Sequence, residues 1–145
     1  MTIADGGDWS AWYILYDTKD DKGEDNYFVV FPNKPILAKL TPNVAWMSPS
    51  AEAARRGGAN GIAAINTIKS IIGVNPHTYI SAPAVHGMSA VGGYSGNAVR
   101  PIALRFIAEL GQDPNLQGMH ISAMGGVETW QDSLELFYSV QAVFR

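Results

Sequence analysis

Apolar and polar positions along the chain change their period several times, and each change predicts an element. Trp9 to Tyr16 and Tyr27 to Phe31 are dense in aromatic and β-branched residues, so both read as strands. The charged run Asp17 to Asn26 between them reads as the loop of a hairpin. Pro35 to Leu40 is a short apolar run of the buried-strand type, stopped at Thr41-Pro42-Asn43. Ser48 with Pro49 behind it predicts a capped helix start, and Gly57-Gly58 predicts its end. Ala59 to Thr67 reads as the next strand. Ile68 to Val91 holds no period and carries Pro76, Pro83, His77, His86 and Gly87, which predicts a long irregular loop. Asn97 as cap and Pro101 in the first turn predict a second helix, with Ile102, Phe106, Ile107 and Leu110 as its apolar face and Gly111 as its end. A strand follows near Ile121. Thr129 with Asp132 three residues on then forms a capping-box pattern, opening a helix that runs to about Phe137. Val140 to Phe144 reads as a last strand.

From Pro35 onward the order is β-α-β-loop-α-β-α-β. Strands separated by helices imply a parallel sheet, either half of an eight-stranded barrel or a small open sheet. The expected fold is therefore α/β, with about four parallel strands behind an N-terminal β-hairpin. The expected division is residues 1–33 for the hairpin segment and 34–145 for the α/β part.

Two glycine turns carry the candidate chemistry. Gly92, Gly93 and Gly96 crowd the approach to the second helix, and Gly125-Gly126 follow the strand before the third. Glycine adds no packing area and is costly to order, so such clusters serve backbone conformation or close approach. Turns that feed helix N-termini present free N–H groups at the positive end of the helix dipole, which suits an anion such as a phosphate. Both turns fall at the carboxyl ends of strands, the edge where α/β sheets bind ligands. Asn66 and Thr67 end another strand at the same edge, and an Asn amide donates and accepts at once. It serves equally to cap its own turn. Lys39 is a lone cation in an apolar strand, so it faces an anionic or polar partner or points to solvent.

Composition narrows the classes. With 145 residues and 47% hydrophobic content the chain suits one domain with a real core. A net charge of −3 with ten thinly spread Lys and Arg forms no nucleic-acid patch. No apolar run approaches a membrane span of about 20 residues, and the N-terminus has no signal-peptide pattern, so a cytoplasmic domain is expected. The chain contains no cysteine, which excludes thiolate chemistry, and its three histidines have no metal-ligand spacing. No catalytic residue and no metal ligand is therefore expected.

Four motifs resemble one family in the same order: KLTPN at 39–43, GGANGIAAINTIKSI at 57–71, GGYSGNAVRPIALRFI at 92–107 and ISAMGGVETWQD at 121–132. They are similar to the flavin domain of dihydropyrimidine dehydrogenase, above all its bacterial NAD-dependent form, a domain related to dihydroorotate dehydrogenase. The resemblance runs from about Pro35 to about Leu136. It implies a TIM barrel that binds FMN and reduces the 5,6 double bond of uracil or thymine, of which this chain carries the C-terminal half. It implies that Lys39 contacts the flavin and that Asn66 and Thr67 hold the pyrimidine. It also implies that Gly96 contacts the flavin and that the Met124-Gly125-Gly126 turn receives its phosphate.

The departures from the family shape the expectation as much. The family's Asn-x-Ser-Cys-Pro loop, whose cysteine protonates the pyrimidine, has no counterpart here. Ala123-Met124 stands where the family has Gly-Ile, and the Leu-Gly-Ala turn that follows the last helix is not found in FYSVQAVFR. Three readings follow: a fragment of a flavin-dependent pyrimidine reductase, inactive alone, completed by a partner chain or a homodimer; a non-catalytic half-barrel that captures FMN or phosphate; or a ligand-free remnant.

Overall fold

The computed structural model describes residues 16–19, 25–28 and 35–141. Strands β1 (Tyr16–Lys19) and β2 (Asp25–Phe28) pair antiparallel, with Tyr16 opposite Phe28 and Lys19 opposite Asp25. The expected hairpin is there, but its ladder uses the charged run that was expected to be loop. A ladder is built from backbone N–H and C=O groups, so polar residues extend it as readily as apolar ones. Trp9 to Leu15 and Val29 to Phe31 lie outside the described residues.

Three short strands form the parallel sheet. Strand β3 (Leu37–Lys39) and strand β11 (His120–Ala123) flank β4 (Gly61–Ala64), with Ala38 beside Ile62 and Ile62 beside Ile121. Helix α1 (Ser48–Arg56) connects β3 to β4, helix α2 (Arg100–Gln112) precedes β11, and helix α3 (Trp130–Gln141) follows it. Strict alternation sorts β3: Ile36, Ala38 and Leu40 are buried, whereas Leu37 and Lys39 are exposed on the other face. The buried face packs with Ile62, Ala64, Ala51, Ala54, Ala103, Phe106, Ile107 and Leu110 into one core. Alanines at the helix–sheet contacts let the backbones approach closely, and Phe106 and Ile107 fill the volume between them.

The α/β class is as expected, with corrections of detail. Among the described residues the parallel sheet has three strands rather than four and no barrel closes. Helix α3 runs through Val140 to Gln141, so the strand expected at Val140 to Phe144 does not form where it is described. Ser48 does not cap α1. Instead the Glu109 carboxylate accepts hydrogen bonds from the Met47 and Ser48 N–H groups, at 2.6 and 2.9 Å. Asn97 does not cap α2 directly, since a short 3-10 turn at Asn97–Val99 intervenes. On α2, Ile102 is half exposed and Ala103 takes its place in the core. Gly111 does not end α2, which runs on to Gln112; a Cβ there would lie 2.5 Å from the Val140 carbonyl oxygen, so the glycine serves the crossing of α2 and α3.

The long loop is not irregular either. It folds as three antiparallel ribbons, β5 (Ile68–Ser70) with β10 (Gly92–Tyr94), β6 (Gly73–Val74) with β7 (Ser81–Ala82), and β8 (Ala84–Val85) with β9 (Met88–Ser89). His86 and Gly87 both have positive φ, 50° and 76°, which is the two-residue turn that matches strand twist. Ser81 holds the ribbons together by donating its N–H to Ser89 Oγ at 2.9 Å.

Candidate functional site

The three parallel strands end on one rim, and backbone hydrogen bonds continue past their ends. Leu40 N–H donates to Ala63 O and Asn66 N–H to Leu40 O, both at 2.9 Å. Met124 N–H donates to Ala64 O at 2.6 Å and Ile65 N–H to Met124 O at 2.9 Å. Lys39, Asn66 and the Met124–Gly126 turn therefore stand side by side along the carboxyl edge.

Asn66 and Thr67 are exposed on this rim. Asn66 Oδ1 accepts the Thr67 N–H at 2.9 Å, so the side chain does cap its own turn. Its amide NH2 meets no acceptor among the described residues and is available to a ligand carbonyl. Asn43 pins the same turn: its Nδ2 donates to Thr67 O at 3.2 Å and its Oδ1 accepts Lys69 N–H at 2.8 Å. Gly93 touches the Thr67 side chain so closely that a Cβ would lie 2.4 Å from its Oγ1. Asn43 was not singled out from the sequence, and Gly93 was read only as one of the glycines before the second helix, although both lie inside quoted motifs. Their role depends on pairing across a fold, and no spacing rule signals it.

The two glycine turns meet. Gly126 has φ +72°, and a Cβ there would fall 2.9 Å from Gly96 O and 3.0 Å from Arg100 N. Gly96 has φ +91° and opens the short turn into α2, so its carbonyl accepts Val99 N–H at 3.1 Å. Gly125, at φ +130°, leaves room for Ala103 and Ile65. Met124 spends both its backbone groups on the strand ladder, so the unpaired N–H groups begin at Gly125. Among the described residues no acceptor meets the N–H of Gly125, Gly126 or Val127. With the Asn97 and Ala98 N–H groups that any helix start leaves over, they gather partial positive charge in a small space.

Arg100 and Asp132 pair beside this arrangement, and sequence reasoning saw only half of it. The capping box forms as expected: Thr129 Oγ1 accepts Asp132 N–H at 3.3 Å, and Asp132 Oδ2 accepts Thr129 N–H at 2.8 Å. Oδ2 also accepts Glu128 N–H at 3.0 Å, while Oδ1 pairs with the Arg100 guanidinium. The Glu128 N–H foremost, then the Thr129 hydroxyl and N–H, with Arg100 as a smaller influence, pull the Asp132 carboxyl down from the ordinary 3.8 to about 2.

Lys39 is exposed on the sheet face away from the helices and makes no ion pair among the described residues. A cleft of about 620 Å³ opens beside the Met124–Val127 turn, between β11 and α3. A larger one of about 1100 Å³ lies between α2 and α3, lined by Trp46, Trp130 and Tyr138. The rim is the better candidate, because among the described residues it is where exposed polar side chains and unpaired N–H groups converge. Among the described residues no three His, Asp or Glu side chains group as metal ligands, and no helix is long and apolar enough to cross a membrane.

The donor set suits the phosphate end of an anionic cofactor, with Lys39 and Asn66 further along the same rim. The chain is 54% identical over 101 residues to the NAD-dependent dihydropyrimidine dehydrogenase subunit PreA of Escherichia coli K12, covering 70% of this chain and 25% of that protein. It is 42% identical over 104 residues to the chloroplastic dihydropyrimidine dehydrogenase (NADP(+)) of Arabidopsis thaliana, covering 70% and 24%. It is 40% identical over 103 residues to the dihydroorotate dehydrogenase B (NAD(+)) catalytic subunit of Pyrococcus horikoshii, covering 71% and 31%. The matched stretch is thus about a quarter to a third of the length of these relatives. The dihydroorotate dehydrogenase family model matches residues 14–141, beginning within the N-terminal hairpin segment, and on that match the chain belongs to the dihydroorotate dehydrogenase family.

Proposed function

We propose that the chain is the C-terminal half of a TIM-barrel flavin domain, and that its rim binds FMN as part of a cytoplasmic oxidoreductase of pyrimidine catabolism. The observation that carries this reading is the convergence on one strand edge of Lys39, Asn66 and the two touching glycine turns. The unpaired N–H groups of Gly125 and Gly126, with Met124 and Gly96 flanking them, take the ribityl phosphate. Lys39 lies towards the ring system, where a cation favours negative charge on a reduced flavin. Asn66 and Thr67 present an amide and a hydroxyl to the carbonyl and N–H edge of uracil or thymine. Bound FMN would supply the hydride chemistry that reduction of a pyrimidine double bond needs. The chain has no cysteine to serve as the proton donor.

The outer edges of β3 and β11 have no partner strand among the described residues. Open parallel edges seek pairing, so a partner chain or a second copy completes the barrel before substrate is turned over. FMN titration followed by flavin fluorescence tests the reading, with riboflavin as the phosphate-free control. Quenching by FMN with weaker binding of riboflavin is expected. Binding of neither flavin overturns the proposal. Lys39→Ala should weaken FMN binding about tenfold, as loss of one charge contact does, while stability stays within about 0.5 kcal/mol because the side chain is exposed.

A further inference from the structure

We propose that Asp132 is a positioning residue that locks the two glycine turns of the rim against each other through Arg100. A capping carboxylate needs only the N–H groups at its own helix start. Asp132 does more. It is 4% exposed and accepts from the Glu128 and Thr129 N–H groups and the Thr129 hydroxyl on one oxygen, leaving the other to Arg100, 32 residues earlier. Arg100 is the first residue of α2, and its own N and Cβ lie 3.0 and 2.8 Å from where a Gly126 Cβ would stand. The connection is therefore closed. The Gly125-Gly126 turn leads into Glu128 and Thr129, their amides into Asp132, Asp132 into Arg100, and Arg100 back to Gly126 and Gly96. Two weaker contacts follow the same path: Asn97 Nδ2 donates to Glu128 Oε2 at 3.2 Å, and Arg100 Nη1 lies 3.4 Å from Glu135 Oε2. The carboxyl keeps its charge at any physiological pH, so the lock does not open with ordinary acidification.

Asp132 reaches no ligand in this arrangement. It sets the spacing between two groups of N–H donors, one after β11 and one at the start of α2. The functional meaning rests on the reading of this rim as an anion site, but the lock itself does not.

Hydrogen–deuterium exchange separates the two. Asp132→Asn removes the charge yet retains one acceptor for the cap, and Arg100→Gln leaves the capping box whole. Each variant should speed exchange about tenfold at the hydrogen-bonded amides on both sides, Val99 and Arg100 on one and Glu128 and Thr129 on the other, and the double variant should exchange no faster than either single one, as members of one coupled pair do. Faster exchange confined to 128–133 in Asp132→Asn, or unchanged exchange at 128–129 in Arg100→Gln, would overturn the lock. The Arg100→Gln arm decides the matter should Asp132→Asn fail to fold. In parallel, both variants should weaken FMN about tenfold and leave riboflavin unaffected. Binding of neither flavin by the unaltered chain would sink the anion site alone, with the exchange result still deciding the lock.

Discussion

The contact between the two glycine turns makes Gly126→Ala the sharpest perturbation of this fold. Two costs add at that position. The backbone sits at φ +72°, a left-handed conformation that costs an L-residue about 1–2 kcal/mol. The new Cβ would also stand 2.8 Å from Arg100 Cβ, 2.9 Å from Gly96 O and 3.0 Å from Arg100 N. All three are backbone atoms or are fixed to the backbone, so no side chain can swing aside and the turns must part. Forcing an extra carbon into a packed site costs about 1–3 kcal/mol more. The sum is about 2–5 kcal/mol, a large share of the total stability of a domain this size. Gly118→Ala supplies the control. Its φ is +78° but nothing stands within 4 Å of its Cβ position, so only the conformational cost of about 1–2 kcal/mol applies. Urea unfolding followed by far-ultraviolet circular dichroism would measure both variants against the unaltered chain, provided the slopes agree. Equal losses for the two variants would refute the contact, and with it the claim that the turns form one rim.

Three further outcomes follow from the same structure. Phe106→Ala empties the middle of the core, where the side chain is 1% exposed, and should cost about 3–5 kcal/mol in the same unfolding assay. Glu109→Ala should cost about 2–3 kcal/mol, because it leaves the Met47 and Ser48 N–H groups without their acceptor; a loss below 0.5 kcal/mol would show that water serves as well. For pH, the Asp132 carboxyl is lowered in the folded state from 3.8 to about 2. Its contribution is complete above the unfolded value and is lost as pH falls through about 2, so stability measured between pH 4 and 2 should drop with a slope that Asp132→Asn flattens.

The comparison of expectation with structure turns on the range of each interaction. Pro49 and Pro101 in first turns, Thr129 with Asp132, and the positive-φ glycines at 58, 96, 125 and 126 were all legible, because each rests on backbone geometry within three or four residues. The three parallel strands were legible as short apolar runs, but the alternation that buries Ile36, Ala38 and Leu40 and exposes Leu37 and Lys39 came from the structure. The ribbons of the long loop were not, because two-residue strands are too short to show a period, and only the His86-Gly87 pair hinted at a turn.

Local order along the chain determined where helices and strands start, which turns need glycine, and which residues carry polar groups to one edge. The folded structure decided everything that depends on partners far apart in sequence. Glu109 caps a helix that begins 61 residues earlier, Gly111 is spared a side chain for the sake of Val140, Gly93 makes way for Thr67, and Asp132 reaches back to Arg100. Such contacts arise only when helices and strands are packed, because a carboxylate or a bare α-carbon has no preferred partner until the core has set the distance.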